Sequence, residues 1–382
     1  MKILMLTSLP WDSTVQVGSH HIAREFIRRG HSLLWLSYPV SIFHLLKKKD
    51  GETARKIANS RLGLIKSDEG LRFAVPFSLV IPRSSGFFSL RYFFESWHRY
   101  SIPNLMSLIN RAGFLNVDLV YLDNFYYSSL LQKINYSKSI LRIPDLLQGF
   151  SKFSQECVRQ EENLIKKVDH VFCTSEDLLA RAQTIRADSL LLENGVNYEH
   201  FSRPQTVVPD DLLNLPRPIA LYVGSIEPWL DQELLRKAAL AFPQISFVLV
   251  GPKRVDLSKL EGLKNLHFLG PKPYSELPKY TQAADFGLIP FDLDNFKAMI
   301  DAVNPLKLYE YFASGLPVVA RRWKTIEKLG EHISLYDNFE QFASAVEQVL
   351  KVKSDRDRLK KLARERSWIS IVDHLLMVLK AG

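Results

Sequence analysis

Short apolar runs recur along this chain, and the stretches between them bring apolar residues back every three or four positions. In the first half the runs are Ile3–Thr7, Leu33–Tyr38, Leu119–Leu122, Ser139–Ile143, His170–Thr174 and Leu190–Leu192. In the second half they are Ile219–Val223, Ser246–Val250, Leu266–Leu269, Phe286–Phe291, Val318–Ala320 and Ile333–Tyr336. Runs that are apolar at consecutive positions are covered on both faces, which marks interior strands of a parallel sheet. The helical periodicity between them supplies the cover. The alternation occurs twice, so the pattern predicts an α/β chain of two doubly wound parallel-sheet domains. Between them, Tyr198–Pro218 holds Pro204, Pro209, Pro216 and Pro218 among polar residues. The expected division is a first domain over 1–200, a linker over 201–217, a second domain over 218–362 and a terminal helix over 363–382. Two such domains facing one another would place both sets of strand C-termini on a shared cleft, the usual ligand position in open α/β sheets.

Composition narrows this picture. The chain has 382 residues, 46% of them hydrophobic and 24% charged, as in globular proteins of two domains. No apolar run is long enough to span a bilayer, and the opening Met1–Thr7 reads as a buried strand rather than an export signal. Cys157 and Cys173 are too few for a metal site and read as reduced structural thiols. The net charge of +9 is uneven: residues 1–115 hold 16 Lys+Arg and 7 Asp+Glu, and the remainder is neutral. That asymmetry suggests an anionic partner for the first half, such as a membrane surface.

The most telling chemistry lies in Val303–Ala320, where Asn304-Pro305-Leu306-Lys307-Leu308-Tyr309-Glu310 leads into Ala313-Ser314-Gly315-Leu316-Pro317-Val318-Val319. Asn304 and Pro305 suit a helix cap and first position, and Gly315 suits a helix end. Lys307 and Glu310, three apart, share one face at the helix start, where free N–H groups and the dipole favour an anion. A lysine there can meet a diphosphate, and a glutamate one turn on can accept from ribose hydroxyls. An ordinary helix with a surface ion pair is the plain alternative.

This segment resembles the donor motif of GT-B glycosyltransferases, in which a K-x-x-E helix ending in A-x-G-x-P-V-V holds a nucleotide sugar. The resemblance extends over nearly the whole chain and implies two Rossmann-like domains with a terminal helix crossing back onto the first. It implies donor contacts from Gly18 in the Val17-Gly18-Ser19 loop, from Gly224 after the strand Ile219–Val223, from Lys272 and Tyr274 near a base-binding loop, and from Asn304, Lys307, Leu308 and Glu310. Two departures stand out. The cations usual after the Gly224 position are replaced by Ser225, Glu227 and Gln232, and Ala302 replaces the glutamate eight positions before Glu310, leaving Met299, Asp301 or Asn304 for sugar contacts.

Asp145, in Arg142-Ile143-Pro144-Asp145, follows a first-domain strand. It resembles the proposed aspartate base of exopolysaccharide glycosyltransferases such as the xanthan glucuronosyltransferase; the alternative is a helix cap. A carboxylate base and the missing first glutamate together favour an inverting reaction. The donor is expected to be uridine-linked, glucuronate included, and the acceptor a lipid-linked saccharide in cell-surface polysaccharide synthesis. No cofactor and no metal are expected, nor nucleic acid. The aromatic-basic run Phe87–Tyr100, with Arg91 and Trp97, and the run Lys47, Lys48 and Lys49 suit a peripheral position at the inner face of the cell membrane. Two rivals share the scaffold: a non-catalytic sugar- or nucleotide-binding protein, and an epimerase or sugar-phosphate synthase.

Overall fold

The computed structural model describes residues 1–46, 51–67, 70–83, 86–150, 153–352 and 355–381. In chain order its strands begin with β1 (Lys2–Thr7), β2 (Ser32–Ser37), β3 (Val40–Ser41), β4 (Ile65–Lys66), β5 (Leu71–Ala74) and β6 (Phe77–Ser78). They continue with β7 (Asn116–Leu122), β8 (Asn135–Ile143), β9 (His170–Cys173), β10 (Leu190–Leu191), β11 (Ile219–Val223) and β12 (Ser246–Val250). The last four are β13 (Leu266–Gly270), β14 (Phe286–Ile289), β15 (Val318–Arg321) and β16 (Ser334–Tyr336). All twelve expected runs are strands, within a few residues at their ends.

Two sheets carry the two units. The first runs β10-β9-β8-β7-β1-β2-β5-β4, parallel except for the β4–β5 pair; the second runs β13-β12-β11-β14-β15-β16 and is parallel throughout. Residues 3–6 of β1 and all of β11, β12 and β14 are buried, as sheets covered by helices on both faces require. β5 has polar Arg72 among its four residues and β4 only two residues, so neither shows as a run of apolar positions.

The first unit comprises 1–13, 17–193 and 372–382, and the second 14–16 and 194–371. The division therefore falls at Glu193/Asn194, before the proline-rich stretch. The expected linker 201–217 belongs to the second unit: Phe201 is buried, Asp210–Leu213 is a helical turn, and Asp211 bonds Lys272 and Tyr280. The terminal helix, Trp368–Ala381, starts in the second unit and ends in the first, where Asp373 pairs with Arg29 at 2.7 Å.

Candidate active site

In the second unit the helix Leu306–Ala313 opens at Pro305, which is its N-cap. Asn304 is therefore one residue outside the helix and does not cap it. Its carbonyl instead accepts from Asn194 Nδ2 at 2.6 Å, and Trp323 Nε1 holds the Val303 carbonyl at 3.0 Å. The helix ends as the glycine predicts. Gly315 adopts φ +69°, and Leu316 N–H returns to the Tyr311 carbonyl at 2.9 Å, satisfying the last turn.

Tyr311 fastens this helix to the sheet. Its hydroxyl accepts from Val223 N–H at 2.8 Å and donates to the Leu221 carbonyl at 3.2 Å, while its ring occupies the space beside Gly287. Lys307 lies four residues earlier on the same face. The anchor thus directs Lys307 at the loop after β11, where a Cβ on Gly224 would stand 3.0 Å from Lys307 Cε. Gly224 has φ +149° and Gly251 φ +150°, and a Cβ on Gly251 would lie 1.9 Å from the Gly224 carbonyl oxygen. Only glycine lets these two loop backbones meet. Tyr311→Phe leaves the Val223 N–H buried without its acceptor, so it should cost about 1–3 kcal/mol in urea unfolding.

Lys307 Nζ sits 5.2 Å from the Tyr222 ring centroid and 5.1 Å from that of Phe291. Neither the Lys307 amine nor the Glu310 carboxylate has a hydrogen bond or ion pair among the described residues. Burial holds the Lys307 amine down at about 8, with Glu310 opposing, and pushes the Glu310 carboxyl up to about 7, with Lys307 opposing. A cation held against two rings and a carboxylate, neither hydrogen-bonded among the described residues, form a polar site at a helix start beside a glycine loop. Leu308 contributes no side chain to it, being fully buried in the core.

The other expected donor contacts are differently engaged. Lys272 pairs with Asp211 at 2.5 Å, and Tyr274 stacks on His200 with ring centroids 4.8 Å apart. Both side chains therefore join the 198–211 stretch to its own unit. After Gly224, Ser225 Oγ donates to Glu227 Oε1 at 2.6 Å and Gln232 Nε2 to the Asp256 carbonyl at 3.0 Å. Met299 is buried, and Asp301 accepts from Lys297 Nζ and from Lys324 N–H, so neither is poised for a sugar.

In the first unit Gly18 starts the helix Gly18–Arg28, and its missing side chain is replaced by the buried Arg142 guanidinium: a Cβ there would lie 2.8 Å from Nη1. Beside it, Ser19 Oγ lies 2.7 Å from Asp123 Oδ2 and 2.9 Å from the Tyr121 hydroxyl. Ser8 and Asn124 also donate to Asp123. Burial raises the Asp123 carboxyl despite these bonds. His20 is fixed between the Pro10 carbonyl and Val17 N–H, and burial lowers it to about 4. Asp145 is exposed just beyond the C-terminal end of β8, and Thr174 Oγ1 donates to the preceding Pro144 carbonyl at 2.9 Å. The cap alternative fails for Asp145: Leu146 opens the next short turn and Ser154 caps the following helix.

Trp97 does not belong to a membrane surface. It is fully buried, with Nε1 donating to the Tyr126 carbonyl at 2.7 Å. Arg91 is exposed and pairs with Glu95 at 2.7 Å. Lys47, Lys48 and Lys49 lie outside the described residues. Among the described residues no group of three His, Cys, Asp or Glu side chains could hold a metal. Sequence reading missed Phe291, Tyr222 and Arg142; each reaches its place through contacts distant in sequence, with no local signal.

Residues 5–174 match the family "Glucuronosyltransferase GumK, N-terminal domain", and 217–352 match "Glycosyl transferases group 1". The chain therefore has the GT-B fold, and each of its two units matches a glycosyltransferase domain family. TuaH of Bacillus subtilis (strain 168), named as a teichuronic acid biosynthesis glycosyltransferase, is 29% identical over 236 residues, covering 57% of this chain and 58% of TuaH. The chain thus spans less than two thirds of that relative. The chain also shares its fold with sucrose-phosphate synthase from Thermosynechococcus elongatus (TM-score 0.69, 18% identity, 100% and 99% of the two chains). Anabaena HepE, solved in complex with UDP and glucose, is similar at TM-score 0.69 and 17% identity over 100% of both chains.

Proposed function

We propose that the enzyme moves a hexose or hexuronate from a UDP-linked donor to a lipid-linked saccharide in cell-surface polysaccharide synthesis. The observation that carries this reading is the Lys307–Glu310 pair, half-buried and without hydrogen-bond or ion-pair partners among the described residues, at the start of an anchored helix. In the proposed reaction, Lys307 and the helix start meet the diphosphate, and Glu310 accepts from the ribose. Asp145 takes the proton of an acceptor hydroxyl as that oxygen bonds to the anomeric carbon and the bond to the diphosphate breaks, with inversion. Charge developing on the leaving diphosphate is met by Lys307 and the helix dipole, without a metal. Lys307 could equally meet a uronate carboxylate, which keeps UDP-glucuronate among the donors. The naming of TuaH for teichuronic acid and the UDP in HepE support the donor and pathway class.

The test is a panel of nucleotide sugars, each scored by thermal stabilisation and by donor hydrolysis, with and without EDTA. A donor at 100 times its dissociation constant should stabilise the fold by about 2.7 kcal/mol. UDP-sugars should do so, and EDTA should change neither readout. Stabilisation with no turnover on any lipid-linked acceptor would favour the non-catalytic binding protein.

A further inference from the structure

We propose that a cavity in the second unit binds a neutral saccharide of more than one ring, at a site separate from the donor site. The cavity lies between β16, the helix Phe339–Lys351 and the start of the helix Arg356–Glu365, and its volume is about 560 Å³. That is within the range of roughly 300–1,000 Å³ for small-molecule sites. Pro317, Val318, Ile333 and Ser334 reach it from the beginnings of β15 and β16 or from just before them. Lys307 faces the loop after β11 instead, at the opposite edge of the same parallel sheet.

Four polar side chains on its wall, those of His332, Ser334, Ser344 and Gln348, have no hydrogen-bond partner among the described residues. Burial and the Arg358 charge hold the His332 imidazole below its usual range, so it is uncharged at neutral pH. Each of the four groups therefore both donates and accepts, as a sugar hydroxyl does. Val318, Ile333 and Val349 add aliphatic surface to the same wall, suited to the C–H faces of sugar rings.

The charged groups of the wall are engaged within the protein. Arg358 Nη2 lies 3.1 Å from Glu331 Oε2, and the Arg358 N–H donates to the Asp355 carboxylate at 3.0 Å. Arg322 Nε donates to Asp337 Oδ2 at 2.9 Å. Of the charged groups that line the cavity, the cations Arg322 and Arg358 stand against the anions Glu331 and Asp355. A phosphate or carboxylate ligand would meet both carboxylates, and a cationic ligand both guanidiniums. The groups left to bind are neutral, and so is the ligand that fits them. A stretch of assembled polysaccharide held here would stay with the enzyme between transfers, which raises the effective concentration of its end. That use rests on the proposed function; the binding itself does not.

The experiment is titration calorimetry of the full chain with cellotriose, maltotriose and N-acetylchitotriose, each beside its monosaccharide, and with trigalacturonate as the charged counterpart. At least one neutral trisaccharide should bind at up to about 10 mM, more tightly than its monosaccharide or trigalacturonate. Ser344→Ala/Gln348→Ala should weaken that binding at least about tenfold, and Ser344→Trp, which fills the cavity, should abolish it. Both positions are exposed on a helix that favours alanine, so melting temperatures of the double variant should stay near wild type. Saturating UDP and Lys307→Ala should each leave the trisaccharide affinity unchanged. The proposal is overturned if no neutral trisaccharide binds, if the monosaccharide or trigalacturonate binds as tightly, or if the double variant binds like wild type. Competition by UDP also overturns it, assigning the sugar to the donor site. Donor stabilisation is measured separately, so its failure would sink the functional reading and leave this one standing.

Discussion

Asp145→Asn should lower turnover by at least about a hundredfold, the lower range for loss of a general base. The substitution keeps the shape of the side chain and removes its basic oxygen. Asp145 is exposed after β8 and caps no helix, so the melting temperature should stay near wild type. The binding of a UDP-sugar by the second unit should also be unchanged. The measurement is kcat with the best donor from the panel and a lipid-linked saccharide, alongside a thermal melt. Near-normal kcat would remove Asp145 from the reaction. A marked loss of stability would show that its carboxylate serves the fold.

The second large effect belongs to Lys307. Lys307→Ala should weaken nucleotide-sugar binding by about 1.5–3 kcal/mol, the range of a hydrogen bond to a charged group, or roughly 10- to 150-fold. The same site carries a pH signature. Burial lowers the amine to about 8, so the free enzyme loses the cation as pH rises through that value. A diphosphate prefers the charged amine and the ribose hydroxyls the ionised Glu310 carboxylate, whose value burial raises to about 7, so donor affinity should peak between about pH 7 and 8 and fall above it. In Lys307→Ala that decline should disappear. Titration calorimetry across this range checks both statements, and a pH-independent wild-type affinity would separate Lys307 from the diphosphate.

The parts legible in the sequence were those written locally. β11, β12 and β14 are buried on both faces, so their apolar runs could be read directly. Lys307 and Glu310 share a helix face by spacing alone, and Gly315 marks the helix end. What escaped depends on contacts between distant positions. Lys272 finds Asp211 61 residues away, and the Tyr311 hydroxyl finds Val223 88 residues away. Trp97 looked interfacial because it sits among arginines and aromatics, but the turn at Trp97–Tyr100 rotates it inward to Tyr126. Position 304 looked like a cap, but the helix starts one residue later and the Asn304 carbonyl serves Asn194 instead.

The route of the terminal helix has a consequence for biosynthesis. Val372 and Leu375 are fully buried in the first unit, and Asp373 reaches Arg29, which also binds Glu25. The first unit otherwise ends at Glu193, so its last piece leaves the ribosome only after the whole second unit. At about 5–20 residues per second, that interval is roughly 10 to 35 seconds. Throughout it the surface beneath Val372 and Leu375 stays uncovered on the nascent chain, a window in which a chaperone could engage it and in which premature termination would leave the first unit unfinished.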